Sequence, residues 1–438
     1  MSNPMILARV VIRVFALLAC LTFVVAAAEA ADTREKKAGG EPGERAVGLN
    51  RQVAEKLGKA IELFESDRFA EALAIVDKLA KKSRLKPPDI AQIHRFRGYI
   101  YVSQGRSEDA TQEFEKALAE HALDRFAEQQ TTYSLAQLYT QLGNHDSALQ
   151  LIEVWFAGAE NPTPDAFFLK AMILVQQEKF EAALEPAQIA VGMTDTPRES
   201  WVGLLVAIGI QLQDYESVAT NLERLIAIAP DKKQYWVQLA AVRNHLKQDA
   251  QALATLRLAN QAGLLDDDRD HRQLARLLFV RELPFQCAQE MNRVIESGVV
   301  KADADSYRML SNCYIAAREL DLALEPLAKA GELAPDGEMY MLLGQMHLQR
   351  ERFDAALAVL TKALAKAKPE QRGSVQLLIG VAQLGMEHFD AAETSFRAAT
   401  SDAKVGAAAR SYLKFVDEQR LRKEQLGQRR QSQTVAME

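Results

Sequence analysis

The chain has 438 residues, 53 Lys and Arg against 59 Asp and Glu, a formal net charge of −6 and 48% hydrophobic residues. Mild acidity without a concentrated basic stripe excludes a general nucleic-acid binder. Length alone suggests roughly two or three globular domains, but an internal repeat removes that inference, because each unit of an array buries its apolar face only against its neighbours.

From the N-terminus, Arg9 and Arg13 precede an uncharged stretch over residues 14–28, and Ala28-Glu29-Ala30 offers a small-x-small cleavage site ahead of polar Asp32. These parts predict a secretory signal peptide over residues 1–30 and an exported mature chain. Leu17-Leu18-Ala19-Cys20 also resembles a lipoprotein processing box, so Cys20 either carries a lipid or is one more apolar residue of a discarded peptide. The third reading is an uncleaved anchor, lengthened by residues 6–14 while Arg9 and Arg13 snorkel. Residues 31–48, rich in Gly, Glu and Lys, read as a flexible polar leader.

Over residues 49–402 an alanine-centred helical hairpin recurs ten times, with landmarks Ala72, Ala110, Ala148, Ala183, Val218, Ala252, Ala288, Ala323, Ala356 and Ala392 at steps of 33 to 38. Such a period is the signature of a helix-turn-helix array. Twelve residues before each landmark stand Ala60, Gly98, Ala136, Ala171, Val206, Ala240, Arg276, Ser311, Gly344 and Gly380. Seven residues after stand Leu79, Ala117, Trp155, Ala190, Leu225, Ala259, Ile295, Ala330, Ala363 and Ala399. Short side chains at these places let helices approach closely, and apolar spacings of three and four mark one buried face per helix. Pro197, Pro230, Pro335 and Pro369 fall at repeat boundaries, where a missing N–H costs little. Pro186 and Pro326 instead stand three residues past a landmark, inside the second helix, as tolerated early prolines or as kinks. Repeat seven departs most, with Arg276 at a normally small site and Pro284 in the turn, so its packing is expected to be the loosest.

Residues 403–426 read as a capping segment whose helix, 407–426, turns Tyr412, Leu413, Phe415 and Val416 toward the last repeat. Residues 427–438 are expected to be a disordered basic tail that continues Arg420, Arg422 and Lys423 with Arg429 and Arg430. Cys287 and Cys313 lie on neighbouring helices across one repeat junction. They either pair in an oxidising compartment or stand as two small buried hydrophobes, and the second is the expectation.

No chemistry-bearing constellation is found. No two of the seven histidines lie at i, i+3 or i, i+4, and there is no Cys-x-x-Cys and no Gly-x-Ser-x-Gly. Asp266-Asp267-Asp268 stands where a turn calls for capping. The expectation is a non-enzymatic chain with no catalytic residues, no cofactor and no metal site.

Tyr340, Leu343 and Gly344, then Phe353, Ala356, Leu360 and Ala363, then Pro369 resemble the tetratricopeptide repeat; Tyr307, Leu310, Tyr314, Ala323, Leu327, Ala330 and Pro335 repeat the pattern one unit earlier. The resemblance implies an all-α fold, a right-handed α-solenoid of about ten helix-turn-helix units with a C-terminal capping helix, and protein or extended peptide partners held on a concave face lined by the first helices. Carried over position by position, the inward-facing candidates are Gln130, Tyr133, Gln137, Phe168, Met172, Gln176, Asn244, Arg308, Asn312, Met341, Gln345 and Gln349. Amides there would satisfy a peptide backbone and soft apolar groups would pack its side chains. Arg308 and Asn312 resemble half of the family's carboxylate clamp, but Glu338 and Leu342 stand where the other half needs a base and an amide.

Residues 235–265, 274–300, 306–345 and 408–418 are similar to the secreted tetratricopeptide proteins found beside TonB–ExbB–ExbD systems of Gram-negative bacteria. That narrower resemblance implies a periplasmic scaffold accessory to TonB-type energy transduction and transport, with TonB-, ExbB- or ExbD-like partners. The other reading is an assembly or export scaffold for outer-membrane protein, polysaccharide or peptidoglycan machinery. Membrane contact is expected only through an uncleaved anchor, a lipid or the basic tail.

Overall fold

The computed structural model describes residues 48–435, with side chains up to residue 426. The signal peptide, Cys20 and the leader up to residue 47 lie outside the described residues, as do the side chains of Arg429 and Arg430. Twenty-one helices, and no strand, are found among the described residues. The first five pairs are α1 and α2 (Arg51–Glu65, Phe69–Ala80), α3 and α4 (Pro87–Ser103, Ser107–Ala119), α5 and α6 (Arg125–Gln141, His145–Gly158), α7 and α8 (Pro164–Gln176, Phe180–Gly192), and α9 and α10 (Glu199–Leu212, Tyr215–Ile228). The next five are α11 and α12 (Lys233–His245, Asp249–Gln261), α13 and α14 (Asp268–Val280, Pro284–Glu296), α15 and α16 (Ala304–Ala316, Leu320–Leu333), α17 and α18 (Glu338–Gln349, Phe353–Lys366), and α19 and α20 (Pro369–Gly385, Phe389–Ala399). A final helix, α21, runs over Gly406–Val435.

One turn joins the two helices of every pair. Its key residue has a positive φ: Asp67, Gly105, Gly143, Glu178, Gln213, Lys247, Glu282, Arg318, Glu351 and Glu387, at 55° to 79°. The next amide closes back on the first helix, as in Arg352 N–H to the His347 carbonyl at 2.9 Å. That bond satisfies a carbonyl the helix end would otherwise orphan. Two residues further on the second helix begins, and three residues into it the landmark is fully buried, as with Ala72, Ala110 and Ala356. Where the first helix carries glycine, the gap is filled by a large side chain one turn past the landmark. A Cβ on Gly98 would lie 2.5 Å from the Phe114 ring, and one on Gly344 2.5 Å from Leu360.

This turn corrects the expected register of repeat seven. Glu282 has a φ of 56° and Leu283 N–H donates to the Leu278 carbonyl at 2.9 Å, so the landmark position falls on Cys287 rather than Ala288. Ala275, fully buried, then takes the small site, and Arg276 is exposed. Met291 and Val294, both fully buried, replace Asn292 and Ile295 at the following core positions. Pro284 is the first residue of α14 and does not sit in the turn, because a helix's first N–H has no intrahelical partner to lose. Nor is repeat seven loosely attached: Cys287 and Cys313 form a disulfide, with their Cα atoms 5.8 Å apart, joining α14 to α15. The expectation of two separate hydrophobes is therefore replaced by a covalent bridge. Pro186 and Pro326 do lie inside α8 and α16, buried.

The array divides into two compact units between Val242 and Arg243, within α11. In the first, one core gathers Val53, Leu57, Val76, Leu79, Ile93 and Ile100, and a second gathers Ala110, Phe114, Leu135 and Leu138. In the second unit, Leu327, Tyr340, Leu343, Leu360 and Val375 belong to one cluster, while Ala392, Phe396 and Val416 form the seat of α21. Tyr412 stacks on Phe396 with ring centroids 5.0 Å apart. Phe415, expected to face the last repeat, is exposed, since it falls off the line joining Tyr412 to Val416 one turn later. The backbone stays helical past residue 426 as far as Val435, over a stretch in which Gln428, Arg429, Arg430, Gln431 and Gln433 favour helix. No described helix is long and apolar enough to cross a membrane.

Candidate protein-binding face

Asn244, Arg308, Asn312 and Gln349 are exposed on first helices, and Gln130, Tyr133, Gln137, Gln176, Met341 and Gln345 are half-buried. Phe168 and Met172 are buried, 2% and 8% exposed, and so belong to packing rather than to an open wall. Phe168 is covered by Trp201 of the next repeat, their rings 5.9 Å apart. Gln130 already accepts a hydrogen bond from Arg95 Nη2 at 2.7 Å, and Tyr133 packs on Trp155 at 5.2 Å. Burial pushes the Tyr133 hydroxyl well above its ordinary pKa. Arg308 pairs with Asp305 on its own helix at 2.5 Å. In the first unit the candidates are thus mostly engaged within the protein. In the second, Asn244, Asn312 and Gln349 are exposed, Arg308 is exposed but paired with Asp305, and Met341 and Gln345 are half-buried.

The corrected register adds residues that sequence reasoning missed. On α13, Arg269, Arg272, Arg276, Phe279 and Val280 take the same repeat positions that Asp305, Arg308, Asn312, Ile315 and Ala316 take on α15. Arg269 and Arg276 are exposed and form no ion pair among the described residues. Arg272 ties the two helices together, its Nη2 donating to Ser306 Oγ at 2.6 Å while its guanidinium also holds Asp268. Read one residue out, Arg276 is a misfit in the core; read in register, it is a surface residue beside two others of its kind.

Two polar clusters also recur at equivalent positions. In repeat two, Glu113 accepts from His94 Nδ1 at 2.6 Å, Lys116 Nζ at 2.8 Å and Arg97 Nη1 at 3.1 Å. Burial alone would raise the Glu113 carboxyl, but these three donors outweigh it and hold the pKa down at about 2. In repeat seven, Glu290 takes His271 Nδ1 at 2.8 Å and Arg293 Nη2 at 2.7 Å. His271 is 3% exposed, and its Nε2 faces the Leu265 carbonyl at 3.1 Å. Both ring nitrogens are engaged within the protein, so this histidine–carboxylate pair holds helices together. Asp267 caps α13 by accepting the Asp270 amide at 2.9 Å, and beside it Asp266 and Asp270 complete a mostly exposed acidic group at the turn.

The tetratricopeptide repeat profile matches residues 57–125 and 309–371, and these stretches are tetratricopeptide repeats. No functionally curated protein matches the chain. Among solved structures, a tetratricopeptide repeat protein from Parabacteroides merdae is 14% identical, with 63% of this chain and 100% of that one covered at a TM-score of 0.37. YrrB, described as a tetratricopeptide protein with an unusual peptide-binding site, is 17% identical over 45% of this chain and 99% of its own, at a TM-score of 0.36. MamA from Desulfovibrio magneticus, from residue 41 onward, is 14% identical over 40% of this chain and 94% of its own, at a TM-score of 0.34.

Proposed function

We propose that this chain of tetratricopeptide repeats is a non-catalytic periplasmic scaffold for proteins or extended peptides, accessory to a TonB-type energy-transduction complex. The observation that carries the scaffold reading is the row of exposed polar residues on successive first helices of the second unit, Arg276, Arg308, Asn312 and Gln349, on a rigid backing of fully buried small residues. Such a surface suits recognition along a strand and offers no closed site in which to exclude water from a reaction. The periplasmic reading draws on the secretory pattern of residues 1–30 and on the Cys287–Cys313 bridge, since disulfides persist in oxidising compartments. The TonB reading draws on the sequence similarity of residues 235–265, 274–300, 306–345 and 408–418.

Crosslinking in intact cells followed by capture of the tagged chain should recover a TonB-, ExbB- or ExbD-like protein. Their consistent absence, or recovery of outer-membrane assembly factors in their place, would overturn the TonB assignment. An N-terminus at Ala31 in the periplasmic fraction is the expected processing product; a cytoplasmic, unprocessed chain would contradict the export reading.

A further inference from the structure

We propose that α13 is the principal recognition helix of the scaffold and that its occupant is an acidic peptide segment with an apolar residue beside its carboxylates. The inference rests on the peptide-binding reading above and names the class of peptide. Arg269 and Arg276 stand two helical turns apart on one face, about 10 Å along the axis. Phe279 and Val280, 42% and 55% exposed, follow one turn further on, and Arg281, also exposed, adjoins them. None of Arg269, Arg276 and Arg281 has a carboxylate partner among the described residues. Arg224 and Arg257, on second helices, are likewise exposed without an ion pair among the described residues, so the feature of α13 is that its guanidinium groups share one first helix with exposed Phe279 and Val280.

Guanidinium groups left open beside exposed aromatic and aliphatic surface complement a carboxylate-rich strand with an apolar anchor. An extended peptide advances about 3.3 Å per residue and its alternate side chains share a face, so carboxylates two or four residues apart, about 7 or 13 Å, bracket the spacing of Arg269 and Arg276 within the swing of their side chains, with the anchor beyond. The platform is stiff, since Arg272 and the Cys287–Cys313 bridge both fasten repeat seven to repeat eight. It is also narrow. The equivalent positions of α15 and α17 bring Asp305 and Glu338, and Asp266 and Asp267 stand exposed where α13 begins, so the positive strip is one helix wide and is bounded by acids at its Arg269 end. That width fits a single strand and not the face of an anionic bilayer.

Fluorescence anisotropy with the full chain would use a labelled peptide of alternating Glu and Phe, its Gln-for-Glu analogue, and phosphatidylglycerol vesicles. The acidic peptide should bind with an affinity that falls as salt is added, and the R269Q/R276Q double variant should lose about tenfold or more. Its melting should be unchanged, because neither side chain is buried or paired, and R51Q, on α1, should bind as the parent does. Equal binding of the Gln analogue, an unaffected double variant, or binding to the vesicles alone would overturn the inference. A random peptide library selected on the same chain separates the two levels of the argument. Enrichment of non-acidic peptides indifferent to R269Q/R276Q would end this inference and leave the scaffold reading standing, whereas no enrichment of any peptide would end both.

Discussion

Repeats nine and seven build the same hairpin from different residues. Repeat nine sets Gly344 against Leu360 and buries Ala356, while repeat seven puts Ala275, Met291 and Cys287 in the corresponding places. Both turn through an acidic residue at positive φ, Glu351 at 55° and Glu282 at 56°. The turn and the summed volume at the helix contact therefore fix the register, and the identity of the small residue is secondary. The two repeats differ again beside this contact. Where repeat seven has His271, Glu290 and Arg293, repeat nine has Tyr340, Val359 and Lys362, with the Lys362 ammonium 5.7 Å from the Tyr340 ring centroid.

The largest expected effect tests the register itself. Ala275→Trp should overfill the contact and cost about 3 kcal/mol, whereas Arg276→Trp should stay within about 0.5 kcal/mol because the position is exposed. Thermal unfolding of the two variants decides, and the opposite ranking would restore Ala288 as the landmark. Next, reducing the Cys287–Cys313 bridge, which spans a sequence separation of 26, should remove about 3 kcal/mol. Hydrogen exchange should then quicken in α14 and α15 and stay unchanged in α17 and α18; uniform quickening would mean the repeats do not act locally.

Repeat two extends the comparison, since it has the histidine–carboxylate–base cluster of repeat seven in a glycine-bearing hairpin like that of repeat nine. Glu113→Gln should cost about 2 kcal/mol near neutral pH. The sign follows from a folded pKa of about 2 against the ordinary 4.5: the ionised carboxylate's contribution is complete above the unfolded value and is lost as pH falls toward the folded one. A variant that matches the parent at neutral pH, or one whose deficit persists at pH values below about 2, would contradict this. The smallest effect concerns the turn. Replacing Glu282 or Glu351 by Gly removes the left-handed strain of an L side chain at the cost of a floppier unfolded chain, for a net gain of about 0.5 kcal/mol. Equal responses in both repeats would show that the two turns are interchangeable; a loss in either would show that its side chain matters to the fold.

The ten hairpins were legible in the sequence because short residues must recur wherever two helices touch. The slip in repeat seven was hidden because Cys287 and Ala288 are adjacent, both small and both fully buried, so spacing alone allows either. Glycine marks the left-handed turn only at Gly105 and Gly143; Glu282 and its counterparts give no such sign. The exposure of first-helix positions was readable at Asn244, Arg308, Asn312 and Gln349. The reading failed at Phe168, because whether an inward position stays open depends on what the next repeat lays over it, here Trp201. The basic stripe on α13 was lost to the same one-residue slip, and Pro284 as a helix-starting residue was the available clue.

The crosslink has a mechanical consequence. A protein of stacked hairpins stretched between its ends gives way one unit after another, each adding its own length to the tether. The bond from Cys287 to Cys313 short-circuits the chain between them, so about 90 Å of extension stays stored for a separation of 26 residues until a reductant releases it. In a force trace that missing increment would mark where along the sequence the unravelling front has arrived.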